Sequence, residues 1–475
     1  MFFNSIEFLI FFPIVFIFYW FLFSKTKNLQ NILIILASVF FYAWCDWKFL
    51  GLLLITTVST FCAGILFDHY KGDNRKCWWI SLCTIILNIG ILFYFKYFNF
   101  FTEVFVDVFS FFGEKISLST VKVLLPIGIS FYTFSALSYS IDVYRGKIAV
   151  QKDVLAYFAY VMFFPSILSG PISRATQQLP QYLKRRTFNY GQAREGSQLL
   201  LWGFLMKLCV ADRLGLYVDA VYNNISQHDG ITLLLASVFY TIQIYCDFAG
   251  YSLMAIGTGK LLGIDLQTNF VRPYFAQTVT DFWRRWHISL TTWFRDYIYF
   301  PLGGNRVKKW RWMLNVMVVF IVSGIWHGAA YTFLIWGAFH GVCMIVEKLL
   351  YGDRIKSLNR KLTFPCIVRI VLTFSIVSIA WVFFRSNTVY EAFTIISKFF
   401  NGLGNIYTNW TVFFYIIPFV FLLVLKEVME EFYPNKIKLF NNKQRITRWV
   451  SYIVVVVMIL YCGVLDGGQF IYFQF

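Results

Sequence analysis

Charge is what this sequence has least of. Only 14% of its 475 residues are Asp, Glu, Lys or Arg, against about 25% in an ordinary globular protein. Acidic residues are the scarcer half, 24 against 42 basic ones, and His numbers five. The nine Cys lie mostly within apolar runs and form no Cys-x-x-Cys pair, so neither a disulfide framework nor a thiolate metal site is expected. His-Glu-x-x-His spacing is missing too, which leaves a zinc or iron site without support. There is no Gly-x-Ser-x-Gly elbow and no Walker loop. Gly257-Thr-Gly-Lys-Leu-Leu-Gly opens with Gly-x-Gly, but no strand precedes it.

What fills the chain is grease. Apolar residues make up 59% and aromatic ones 21%, with 56 Phe and 16 Trp. A soluble protein of this composition would expose large apolar patches and aggregate. The chain therefore reads as an all-α polytopic membrane protein. Apolar runs occur near 6–23, 30–44, 48–67, 77–95, 123–141, 154–170, 197–216 and 231–250, then near 313–326, 329–349, 366–384, 411–426 and 447–464. At about 20 residues per crossing, they predict roughly 11–13 transmembrane and re-entrant helices in one membrane domain over 1–475. The first run has no basic start and no small-residue cleavage site, so it is expected to stay as a transmembrane helix. Lys25 and Lys27 follow it, and Lys71, Arg75 and Lys76 close the next basic loop. The positive-inside rule then puts the N-terminus outside and these loops in the cytoplasm.

A net charge of +18 suggests nucleic acid until its distribution is seen. The basic residues sit in short clusters between apolar runs, as in loops facing anionic lipid. No nucleic-acid partner is expected. One stretch differs. Residues 272–311 hold eight Lys/Arg against two Asp, a net charge of +6, together with Trp283, Trp286, Trp293 and Trp310. Too polar to cross lipid and too aromatic for a plain loop, it reads as amphipathic helices in the cytoplasmic interface. A second basic segment, 174–194, carries Arg174, Lys184, Arg185, Arg186 and Arg194 with no acid among them.

Scarcity makes the His informative. His69 and His228 lie in polar loops beside Asp68 and Asp229 and read as surface residues, and His340 reads as structural. His327 stands in an apolar run of membrane length, flanked by Gly324 and Gly328. Ionisable groups at that depth are costly and usually face a bundle interior or a wet cavity. Such a His is either catalytic or a hydrogen-bonded strut between helices. His287 follows Asp281, Trp283, Arg284 and Arg285 at helical spacing. It is either a second polar group of the site or part of an interfacial helix with a snorkelling basic face. Asp142 and Asp247, at the ends of apolar runs, read as structural hydrogen-bonded acids.

Several of these segments together resemble the membrane-bound O-acyltransferase family. They are Gln243-Ile-Tyr-Cys-Asp-Phe-Ala-Gly-Tyr-Ser, Asn269-Phe-Val-Arg-Pro-Tyr, Thr280-Asp-Phe-Trp-Arg-Arg-Trp-His, Arg295-Asp-Tyr-Ile-Tyr-Phe-Pro-Leu-Gly-Gly-Asn-Arg and Gly324-Ile-Trp-His-Gly-Ala. Leu125-Pro-Ile-Gly-Ile-Ser and Ser169-Gly-Pro-Ile extend the match, which is densest over 125–345. Within the family the pattern resembles the membrane subunits that serve alginate and peptidoglycan O-acetylation. One departure is that Ala330-Tyr-Thr-Phe stands where the family often has Asn-Trp-Thr-Phe.

The resemblance implies a ring of helices around a central funnel, with His327 as the essential His and His287 at the second polar position. Asp281, Trp283, Arg284, Arg285 and Trp326 would line the substrate. The donor implied is cytoplasmic acetyl-CoA, with no bound cofactor, and the basic 272–311 segment would draw its phosphates. Acyl transfer to a hydroxyl needs a base near neutral pH, and His suits that role. The implied setting is a bacterial cytoplasmic membrane, with an extracytoplasmic esterase-like transferase subunit as partner and an envelope polysaccharide as final acceptor, among membrane lipid.

The tail, 465–475, is too short to span. It is either an aromatic anchor or, as its likeness to the acetylase branch implies, a segment whose Tyr472 carries acetyl as an ester. A D-alanyl carrier of teichoic acid is the variant within the same class. A transporter or flippase is the alternative outside it, but the duplicated halves of such folds are not found in the sequence.

Overall fold

The computed structural model describes residues 1–111, 123–352, 361–433, 440, 444–464 and 470–471. Every regular element among the described residues is helical. Seven helical stretches are long and apolar enough to cross a membrane: Lys27–His69, Asn74–Val106, Gly230–Leu261, Tyr331–Tyr351, Phe364–Arg385, Trp410–Phe432 and Arg445–Cys462. The protein is an all-α, multi-pass membrane protein.

Lys27–His69, 43 residues long, takes in two of the predicted runs, and several other runs are broken or short. The first continues from Ile6–Ile17 into a π-helical turn, Phe18–Leu22, and stops. The 154–170 run splits into Val154–Val161 and Phe164–Ile167, with Pro165 inside the start of the second piece. The 197–216 run is interrupted by a π segment, Leu205–Ala211. From the 123–141 run only Ile129–Tyr144 is helical, and 14 of its 16 residues are buried.

The chain, which from sequence alone reads as one domain, groups into two compact units. One comprises Met1–Leu200 with Met254–Gln267, and the other Leu201–Leu253 with Thr268–Phe475. In the first, side-chain caps start the helices: Ser5 Oγ accepts from Phe8 N and Thr26 Oγ1 from Leu29 N, each at 3.3 Å. An aromatic cluster of Phe3, Phe8, Phe41 and Phe164 packs edge-on and tilted, with Phe41 and Phe164 centred 5.2 Å apart. Gln30 is fully buried and brackets the Arg186 backbone, donating to its carbonyl and accepting from its N–H, both at 2.9 Å. Gly128 enters the Ile129–Tyr144 helix at φ +78°, where a Cβ would lie 2.4 Å from the Ile167 carbonyl. No other residue fits there.

In the second unit the Lys309–His327 and Tyr331–Tyr351 helices form a hairpin packed through glycine. A Cβ on Gly324 would lie 2.3 Å from the Phe333 carbonyl oxygen, and one on Gly337 2.3 Å from that of Phe320. Small residues let helix backbones approach this closely in membranes. Gly337→Ala is expected to destabilise the protein by about 1–3 kcal/mol, because backbone must shift to admit a methyl group. Gly341 faces the flexible Met317 side chain instead, so Gly341→Ala should cost less. Thermal unfolding of both variants in detergent checks the difference, and equal melting temperatures would contradict it.

Candidate active site

His327 is the last residue of the Lys309–His327 helix, which ends where the extended Gly328 hands the chain to the Tyr331–Tyr351 helix. Its side chain is buried, 3% exposed. Three rings surround the imidazole edge-to-face, with centroids at 4.8 Å (Trp326), 4.9 Å (Trp336) and 5.4 Å (Phe384). Trp326 also lies 5.9 Å from His287, so one indole touches both imidazoles that the sequence singles out.

His287 is the turn between two short helices, Val279–Arg285 and Ile288–Phe294. Its backbone is left-handed, φ +43° and ψ +53°. That region is uncommon for a residue with a side chain and costs on the order of 1–3 kcal/mol unless its surroundings impose it. Here Asn269 imposes it. The Asn269 carbonyl accepts from Ile288 N at 2.9 Å, its Oδ1 accepts from Ser289 N at 3.2 Å, and its Nδ2 donates to Ser252 Oγ at 2.9 Å. The imidazole is fully buried and meets the Phe248 ring at 4.7 Å, at right angles. His287 stands outside the seven span-length helices, and burial pushes its pKa down to about 3, which favours the neutral imidazole.

The helix before this turn is fastened at both ends. At its start Glu347 accepts from Val279 N at 2.6 Å and Thr280 N at 3.2 Å, while Thr278 Oγ1 accepts from Asp281 N at 3.0 Å. A carboxylate suits the positive end of a helix. Midway, Trp283 Nε1 donates to His340 Nδ1 at 3.3 Å, so His340 is a hydrogen-bonded core residue. At its end Arg285 pairs with Asp281 at 3.0 Å and with Glu431 at 2.9 Å. Glu431 also holds Arg272 at 2.7 Å, and Arg272 is the other non-glycine residue with positive φ among the described residues, at +44°.

These contacts sort the residues predicted from sequence. His327, His287 and Trp326 come together. Trp283 packs behind them, 5.7 Å from Trp336. Asp281 and Arg285 are committed to an ion-pair network and brace the turn. Arg284 is the one exposed residue between 279 and 294. The 279–294 part of the basic 272–311 segment packs into its unit, with Asp281 and Arg285 paired inside, while Arg295, Arg306, Lys308, Lys309 and Arg311 of that segment are exposed. His69 is exposed and His228 half-buried. Tyr472 lies outside the described residues, two positions beyond Phe470, whose ring centroid is 5.5 Å from that of Phe248.

Two residues that shape this site were not singled out from the sequence: Asn269, which opens one of the quoted motifs, and Glu431. Glu431 gave no motif signal, although an acid near an apolar run is notable in a chain with 24 of them.

A buried, aromatic-walled imidazole is suited to moving a proton where water does not compete. The sequence profile of the membrane-bound O-acyltransferase family matches residues 39–390. The chain is 36% identical to the probable alginate O-acetylase AlgI of Azotobacter vinelandii over 383 residues, 80% of this chain and 74% of that protein. It is 32% identical to the peptidoglycan O-acetyltransferase of Helicobacter pylori over 414 residues, 81% of this chain and 77% of the relative. Similarity to the teichoic acid D-alanyltransferase of Bacillus subtilis is 30% over 272 residues, 54% of this chain and 68% of that one. With the His pair set in one aromatic cluster and the profile matched over most of its length, the chain belongs to the membrane-bound O-acyltransferase family and is an O-acyltransferase.

Proposed function

We propose that this protein takes acetyl from cytoplasmic acetyl-CoA and passes it across a bacterial cytoplasmic membrane for O-acetylation of an envelope polysaccharide or peptidoglycan. The observation that carries the reading is the likeness to alginate and peptidoglycan O-acetylases over four-fifths of the chain. The D-alanyltransferase likeness is shorter, 54% of the chain, and D-alanyl transfer is the weaker reading.

In the proposed step His327 is the base. Its imidazole takes the proton of an acceptor hydroxyl as that oxygen attacks the thioester carbonyl. A C–O bond forms, the C–S bond breaks, and the imidazolium returns the proton to the departing CoA sulfur. His287, neutral and fixed by its turn, would orient acyl donor or acceptor beside Trp326. The exposed Arg284, with the other basic residues of 272–311, would attract the CoA phosphates. Tyr472 would be the acceptor hydroxyl, holding acetyl as a phenolic ester until an extracytoplasmic esterase-like subunit moves it to the polymer.

Replacing Tyr472 by Phe removes only the hydroxyl. The expected result is loss of envelope O-acetylation in cells while the protein accumulates at its normal level, read as ester-linked acetate released from purified envelope polymer. Full acetylation in Tyr472→Phe cells would remove the relay from the account.

A further inference from the structure

Three buried charges in the second unit have no part in the step above. Lys207 lies in the π segment Leu205–Ala211, Asp212 follows it, and Asp247 sits within the Gly230–Leu261 helix. Lys207 Nζ is 2.8 Å from Asp212 Oδ1 and 2.7 Å from Asp247 Oδ1, and the side chains are 2%, 7% and 2% exposed. One cation faces two carboxylates. A buried carboxylate needs further donors for its remaining oxygen. For Asp247 the donor comes from 224 residues away: Ile471 N–H donates to Asp247 Oδ2 at 2.8 Å.

The neighbouring contacts make this a seat for the chain that follows the Arg445–Cys462 helix. Val464 N donates to the Leu208 carbonyl at 3.0 Å, beside Lys207. Phe470 is 3% exposed, stacked on Tyr251 with centroids 4.7 Å apart and edge-on to Phe248 at 5.5 Å. Phe248 is the residue after Asp247 and its ring touches His287.

We propose that Asp247, held by Lys207, is the docking site for the backbone of residues 470–471 and positions residue 472 for acetyl transfer. The recognition is of main chain: a carboxylate oxygen reads one N–H, and the Tyr251 and Phe248 rings seat one aromatic side chain. Asp247 is thus a positioning residue, acting through the segment it holds. The role rests on the reading of Tyr472 as acetyl carrier, but docking and carrying are measured separately.

The test uses the full-length protein in detergent with a photo-crosslinking phenylalanine at position 470. Ile471→Pro deletes the N–H donor and leaves all three buried charges intact; Ile471→Ala keeps the donor and serves as control. Wild type and Ile471→Ala should cross-link to the peptide containing Phe248 and Tyr251. Ile471→Pro should lower that yield about tenfold or more, as expected for a lost hydrogen bond to a charged acceptor. It should also slow acetyl transfer by a similar factor, with KM for acetyl-CoA and melting temperature unchanged. Undiminished cross-linking in Ile471→Pro would overturn the docking, and undocking with undiminished transfer would overturn the positioning role. If instead the wild-type tail cross-links in a proline-sensitive manner yet never takes acetyl, the carrier reading fails and the docking stands.

Discussion

Purified His327→Ala protein is expected to release CoA from acetyl-CoA about 10²- to 10⁴-fold more slowly than wild type, the usual contribution of a positioned general base. The size follows from the setting. The imidazole is 3% exposed and ringed by Trp326, Trp336 and Phe384, so bulk water is poorly placed to stand in as base. The same rings mean that alanine leaves a cavity, which destabilises by itself. His327→Gln, closer in volume and still able to hydrogen-bond, separates the two effects. It should melt near wild type and remain as inactive as His327→Ala. A His327→Gln protein with nearly full turnover would make His327 a strut between helices, not a base.

The second large effect lies far from the imidazole in sequence. Glu431→Ala should destabilise the protein by about 3 kcal/mol, the lower end for breaking a buried ion pair. Glu431 and Arg285 side chains are each 8% exposed, and Glu431 also holds Arg272. Removing it leaves Arg285 with Asp281 as its ion-pair partner and Arg272, whose backbone is already left-handed, with only the longer 3.7 Å pairing to Glu430. The turn carrying His287 hangs from this network, since Arg285 is two residues away. Activity should therefore fall with stability. Glu431→Gln, which keeps acceptor and donor atoms in place, should lose less on both counts. Thermal unfolding and CoA release on the same preparations check the pairing. An Ala variant as stable as wild type would mean the network is solvated and worth little.

His327 stood out in the sequence because it is an isolated ionisable group within an apolar run, where such groups usually face a bundle interior or a wet cavity, and the structure buries it among rings. Trp326 came with it as its neighbour in the motif. His287 was legible as a motif residue, whereas its conformation was not. Nothing local in Trp286-His287-Ile288 asks for a left-handed turn. The demand comes from Asn269 and Ser252, and such tertiary constraints leave no periodicity.

Net charge along 272–311 argues for an interface, and Arg284, Arg295, Arg306, Lys308, Lys309 and Arg311 are exposed; Arg272 and Arg285 are instead met by Glu431, and Glu347 caps the helix start, inside the unit. Hydropathy found the apolar runs but not how they break: Pro165 and the Leu205–Ala211 π segment interrupt two of them, and Ile129–Tyr144 is the helical part of a third. Asp247 looked like an ordinary structural acid, and its partner at position 471 could be found only in three dimensions.

The central claim is that His327, acting as base, lets acetyl move from CoA to residue 472. The most direct measurement is mass analysis of the C-terminal peptide after detergent-purified protein is mixed with acetyl-CoA, wild type beside His327→Gln. The account predicts one acetyl group on Tyr472 in wild type and none in the variant. An unmodified tail in wild type, with CoA still released, would contradict the relay and place the acceptor hydroxyl outside this chain.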